Sequence, residues 1–298
     1  MGPFGQRRMT TPRSGGAPPR RGRRTAPPAA RNAAVGAVEA NLWAMHRDFA
    51  RVPDAEVHDE PGLLWYAVPS RSSWLNGASR TDLSGHAADQ AIRLVVDTIQ
   101  PLGRNVTWHL GPSTRPNDLA RRLGDAGFEP TDLDIPGMAV SLDAVVRPPQ
   151  PEGLALEAAR DETDLLDWLD AFDHSFGSEP KGRDHPWFTP FAHLALGEGP
   201  CRLFVGRVAG RPVACSLAFV GGGAVGLYGV GTVPEFRGRG YGSAATLAGI
   251  DWGHDQGVDL AILHASELGE PVYRRLGFET VCEVSQWICA VPDLPVRS

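Results

Sequence analysis

Residues 237–242 read Arg-Gly-Arg-Gly-Tyr-Gly, three glycines alternating with bulky side chains soon after an apolar run. Two uses suit that spacing. One is a tight turn between a strand and a helix. The other is a cradle of backbone N–H groups for a phosphate, because glycine lets the backbone approach an anion closely and adopt positive φ. A helix entered directly from the loop adds unpaired N–H groups and the positive end of its dipole. Arg237 and Arg239 could add charge-assisted contacts or face water.

A strand and a helix must hold such a loop, and the flanking sequence supplies both. AVGLYGVGTV (224–233) reads as a strand and SAATLAGIDWGHDQG (243–257) as a helix ended by Gly257. Upstream come a strand at 154–159 and a helix at 161–177 whose acidic first turn suits its dipole. Residues 177–200, rich in Gly, Pro and aromatics, are expected to form a second helix and loops. Strands at 201–208 and 212–220 follow, with hairpin turns AGR and GGG around the second. Downstream lie a buried strand at 258–266, a short helix at 271–277 and a closing strand at 279–291.

That order, over roughly residues 153–291, resembles the GNAT superfamily of N-acetyltransferases. The family signature, Arg/Gln-x-x-Gly-x-Gly/Ala, is matched by Arg237-Gly238-Arg239-Gly240-Tyr241-Gly242, and VYRRLGF (272–278) resembles the family's tyrosine-bearing helix. The resemblance implies an α/β (α+β) fold with a mixed, mostly antiparallel sheet flanked by helices. It implies acetyl-CoA as cosubstrate and no metal. The pyrophosphate would sit on Arg237 through Gly242 and on Ser243 at the helix start. Pantetheine would run along the backbone of Gly231, Thr232 and Val233, with Gly229 and Gly231 permitting a bulge. Tyr273 matches the family's general acid, since a phenol can stabilise a departing thiolate. Two positions depart from the pattern: Ser266 stands where asparagine is common, and Glu270 where alanine is usual. Ser266 could still reach the cofactor. Glu235 and the pair Asp173-His174 are read as solvated residues rather than bases, and many family members need only an ordered water.

The preceding part carries an echo. WHLGPSTRPNDLARRLGDAGFEP (108–130) parallels LHASELGEPVYRRLGFET (263–280), each a strand, a loop, a helix with Arg-Arg-Leu-Gly, then Gly-Phe-Glu. A helix at 35–50, a strand at 62–68, a helix at 86–103, a strand at 105–111, a short helix from Pro116 through Arg122 and a strand at 137–143 are expected there. Residues 69–85 lack the glycine signature and the short helix lacks a tyrosine. The reading is two tandem GNAT-like halves: a degenerate one at 34–147 and a catalytic one at 148–298.

Composition narrows the partners. The first 31 residues hold eight arginines and no acidic residue, so a formal net charge of −6 leaves −14 on the remainder. Residues 1–33, rich in Arg and Pro, are expected to be a disordered tail. The acidic body argues against a broad nucleic-acid face. Cys201, Cys215, Cys282 and Cys289 form no CxxC pair, which suggests buried thiols in a reducing compartment. No stretch has the length of a membrane span or an export signal. The expected protein is a cytoplasmic acetyltransferase for a small-molecule or peptide amine. The competing reading is a CoA-binding regulatory or interaction protein without turnover.

Overall fold

In the computed structural model, which describes residues 28–291, the two halves share one eleven-stranded sheet. The first half comprises α1 (Pro28–Asp48), β1 (Glu56–Glu60), β2 (Leu63–Ala67), β3 (Asn76–Thr81), α2 (Gly85–Ile99), β4 (Val106–Leu110), α3 (Leu119–Asp125) and β5 (Glu129–Ser141). The second comprises β6 (Leu154–Ala158), α4 (Glu162–Phe176), α5 (Phe188–Ala195), β7 (Cys201–Val208), β8 (Arg211–Gly221), β9 (Ala224–Thr232), α6 (Tyr241–Asp255), β10 (Leu260–His264), α7 (Glu270–Leu276) and β11 (Glu279–Cys289).

The strand order is β1-β2-β3-β4-β11-β5-β10-β9-β8-β7-β6. Only β3·β4 and β9·β10 pair in parallel; the other neighbours are antiparallel. Each half gives its last strand to the other. β5 pairs with β10, and β11 runs between β5 and β4. The halves are therefore knitted through backbone hydrogen bonds rather than packed as separate bodies.

Helix α1 adds a second link. Asn41, fully buried, donates from Nδ2 to the carbonyls of Phe219, Gly221 and Ala224, which ties α1 to the β8–β9 hairpin. Leu42 and Met45 on the same helix, with Phe49 just after it, join Tyr66 of the first half and Trp168 and Phe219 of the second in one core cluster. At α4, Asp161 caps the helix by accepting from Thr163 N and Asp164 N, and Gly177 ends it in the left-handed conformation.

Three expectations need correction. Helix α1 starts at Pro28, so residues 28–33 belong to it rather than to the Arg/Pro-rich tail; residues 1–27 of that tail lie outside the described residues. Strands β1 (EVHDE) and β3 (NGASRT) were not foreseen, because neither alternates apolar with polar residues. Pairing on both sides buries β3, and Gly77 (φ +147°) is required there because a Cβ would collide with the backbone of Thr107 on β4. Strand β5 begins at Glu129 instead of 137, since its polar, proline-bearing first part is held by β11. The four cysteines are free thiols; Cys201, Cys215 and Cys289 are buried and Cys282 is half-buried. Among the described residues no helix is long and apolar enough to cross a membrane.

Candidate active site

The site begins where β9 and β10 part. They pair only at Val225–Leu227 against Ala261–Leu263, while β9 continues to Thr232. On its other side β9 bulges: Cys215 faces Gly231 and Leu217 faces Tyr228, so Gly229 and Val230 together oppose Ser216. Gly229 adopts φ +53° at this bulge, a conformation that disfavours a side chain. The divergence opens a cleft of about 570 Å³ between the end of β9, the start of α6 and α7.

The glycine loop forms one wall. Pro234 starts a single 3-10 turn, Gly238 (φ +77°) and Gly240 (φ +83°) take left-handed conformations, and α6 follows at once. No side chain caps α6, so its leading N–H groups stay available to an external acceptor. Gly231, Thr232, Arg237, Gly238, Gly240, Tyr241, Gly242 and Ser243 all line the cleft.

Two residues expected there do not line it. Val233 is buried, its N–H donating to Val213 O and its carbonyl accepting from Phe236 N. Arg239 turns away, its Nη2 donating to Glu235 O and its guanidinium lying 5.2 Å over the Phe236 ring. Arg237 is largely a brace: Nε donates to Thr232 O (3.1 Å) and Nη2 to Ser175 O (2.8 Å), joining the last turn of α4 to β9. Val230, Ser175, Val272 and Arg275 also line the cleft and had no signal in the motif. Ser175 Oγ, beside Gly231, is buried without a hydrogen-bond partner.

The opposite wall is α7. Ser266 organises its entry: Oγ accepts from Gly269 N (3.2 Å) and the carbonyl accepts from Glu270 N (2.9 Å). Glu270 is spent on an ion pair with Arg274 along the helix. Tyr273, only 7% exposed, packs edge-on against Phe278. Burial, with Cys215 nearby, pushes its phenol above the ordinary range, so it keeps its proton at working pH.

Comparison with known proteins agrees with this geometry. A family model described as an acetyltransferase (GNAT) domain matches residues 149–264. The mycothiol acetyltransferase of Salinispora arenicola (strain CNS-205) is 31% identical over 153 residues, covering 45% of this chain and 47% of that protein. A solved GCN5-related N-acetyltransferase from Kribbella flavida superposes with a TM-score of 0.64 at 18% identity, over 83% of this chain and 93% of that one. Residues 149–264 match the GNAT acetyltransferase domain, and the chain has the GNAT fold. A tandem GNAT protein from the clavulanic acid biosynthesis pathway shares the fold too, with a TM-score of 0.54 at 14% identity over 82% of this chain and 86% of that one. The match to the Salinispora protein spans about half of that protein's length.

Within this GNAT fold a second pocket, of about 260 Å³, adjoins the cleft and shares Phe176, Val230, Ser266 and Tyr273 with it. Tyr273 therefore stands at the junction of two spaces. Trp187 from HPWFTPF lines this pocket, while Leu42 and Trp74 reach it from the first half. None of the residues weighed as bases lines either space. Asp173 is buried rather than solvated, accepting from Lys181 N and facing His185 Nε2 at 3.3 Å. His174 pairs with Asp170, and Glu235 is an exposed partner of Arg211.

The first half repeats the β–α–β frame but closes the corresponding space. Residues 82–84 alone join β3 to α2, where 233–240 join β9 to α6. Arg115 donates its N–H to Thr81 O (2.8 Å) and accepts from Leu83 N (3.3 Å), so the chain's own backbone pairs with the end of β3. Ser84 Oγ caps α2 by accepting from Ala87 N. A helix end already capped, without a glycine loop, offers no cradle.

Proposed function

We propose that the protein transfers an acetyl group from acetyl-CoA to an amine by direct attack, with the work done by 148–298 and with 34–147 as a GNAT-like half without a cofactor site. The observation that carries this reading is the position of Tyr273, between a glycine-lined cleft and a separate pocket. Gly238, Gly240 and the uncapped start of α6 suit the diphosphate. The backbone of Val230–Thr232, beside the bulge, suits the extended arm. Bound acetyl-CoA supplies an activated thioester. The amine forms the new N–C bond as the S–C bond breaks; Tyr273 gives its proton to sulfur and regains one released by the amine. The four free thiols fit a reducing compartment, and the cytoplasm is the proposed location.

Thiol release from acetyl-CoA across a panel of primary amines tests the reaction. Amine-dependent release with a matching N-acetyl product by mass spectrometry is the expected result. Tight CoA binding with no release for any amine would instead favour the regulatory or interaction reading.

Because Arg115 and the capped start of α2 close the first half, one acetyl-CoA should bind per chain. Calorimetric titration with CoA is expected to give a single site. Two equivalent sites would mean that 34–147 keeps a cradle of a kind not visible in its loop.

A further inference from the structure

We infer that the acceptor is a compact aromatic primary amine carrying one positive charge, held among the rings of the pocket beside Tyr273. This rests on the acetyl-transfer reading above and narrows it to a substrate class.

The first argument is the absence of formal charge. No Asp, Glu, Lys or Arg is among the described residues that line the 260 Å³ pocket. A polyamine would bring several ammonium groups with no carboxylate to receive them. A polyhydroxylated amino sugar would fare little better, since each hydroxyl buried without a partner loses its hydration uncompensated. Tyr228 OH, one of the few polar groups, already donates to Asn41 Oδ1 at 2.7 Å.

The second argument is the shape of the walls. Trp187 lies 4.7 Å from Phe172 and 5.4 Å from Trp74, centroid to centroid. Its indole N–H donates to Ser72 Oγ (2.7 Å), which fixes the ring instead of leaving it free to turn. These faces accept a flat apolar ligand, and they also attract a single cation by its charge before it loses its proton. The volume lies below the ~300–1,000 Å³ usual for drug-sized ligands, which limits the guest to one ring system and a short arm.

The third argument concerns the amine end. His264 lines the pocket, and its Nε2 is buried without a hydrogen-bond partner. Burial holds its pKa down to about 4, so the ring is neutral at working pH and can accept a hydrogen bond from an N–H group. With the side chains of Ser266 and Gln286 it forms the small polar part of a pocket otherwise walled by rings and aliphatic groups.

The test uses the full chain. Binding of 2-phenylethylamine, glucosamine and spermidine is measured calorimetrically with CoA saturating, and thiol release is measured with acetyl-CoA. The expected result is that 2-phenylethylamine binds and is acetylated with kcat/KM roughly 10²-fold above the other two. Trp74→Ala, which alters the pocket but not the cofactor cleft, should lower that value about tenfold while CoA affinity is retained. Glucosamine or spermidine used as well as 2-phenylethylamine, or no binding of 2-phenylethylamine, would overturn the inference. Binding of 2-phenylethylamine with no thiol release would uphold the pocket assignment and reject the acetyl-transfer reading.

Discussion

Tyr273→Phe is expected to lower kcat by roughly 10²-fold or more while leaving acetyl-CoA affinity nearly unchanged. The hydroxyl is lost but the ring and its contact with Phe278 remain, so the fold is not the variable tested. Burial holds the Tyr273 phenol above its usual pKa, so it stays protonated and serves as a hydrogen-bond donor. Charge develops on sulfur as the S–C bond breaks, and the hydroxyl then stabilises the departing thiolate through a hydrogen bond along which its proton passes, so the interaction belongs to the transition state rather than to cofactor binding. The measurements are steady-state turnover with an identified amine and, separately, calorimetric CoA affinity. Full activity in the Phe variant would assign sulfur protonation to water or another residue. An equal loss in affinity would make Tyr273 a binding contact instead.

Gly240→Ala is expected to raise the Kd for acetyl-CoA at least tenfold, about 1.4 kcal/mol. Two effects act together. Gly240 sits at φ +83°, where an L side chain is strained by roughly 1–2 kcal/mol, and relief of that strain would turn the leading N–H groups of α6 out of the cleft. A Cβ at this position also projects beside the space read as the diphosphate site. Among the described residues it meets only Pro151 Cγ at 3.4 Å, an ordinary contact, so severe unfolding is not expected. Affinity is measured by calorimetry on a variant whose thermal midpoint shows it folded. Unchanged affinity would mean that the cleft holds the diphosphate elsewhere.

Both of these positions were legible in the amino-acid sequence, and for the same reason. A glycine loop between an apolar strand and a helix is a local device, with its conformational needs written in consecutive residues. The same holds for the short helix of Tyr273 with its closing glycine. The three-strand meander of β7, β8 and β9 was readable from apolar runs separated by hairpin turns, while the mostly antiparallel sheet followed from the family resemblance.

What lay beyond the sequence depends on contacts between distant residues. NGASRT makes a strand only because β2 and β4 bury it from both sides, against its weak local preference. The exchange of β5 and β11 leaves no mark in either segment, since a strand's apolar pattern shows which faces are covered and not which neighbour covers the edge. Asp173 looks like a surface carboxylate until the loop carrying His185 folds over it. The pocket beside Tyr273 is the clearest case: Trp74 and Leu42 reach it from a half with no cofactor motif of its own. Sequence alone determined the glycine loop and the short helix of Tyr273, because each is set by residues adjacent in the chain. Tertiary structure decided which walls surround the pocket beside Tyr273, because those walls meet only when the shared sheet brings both halves together.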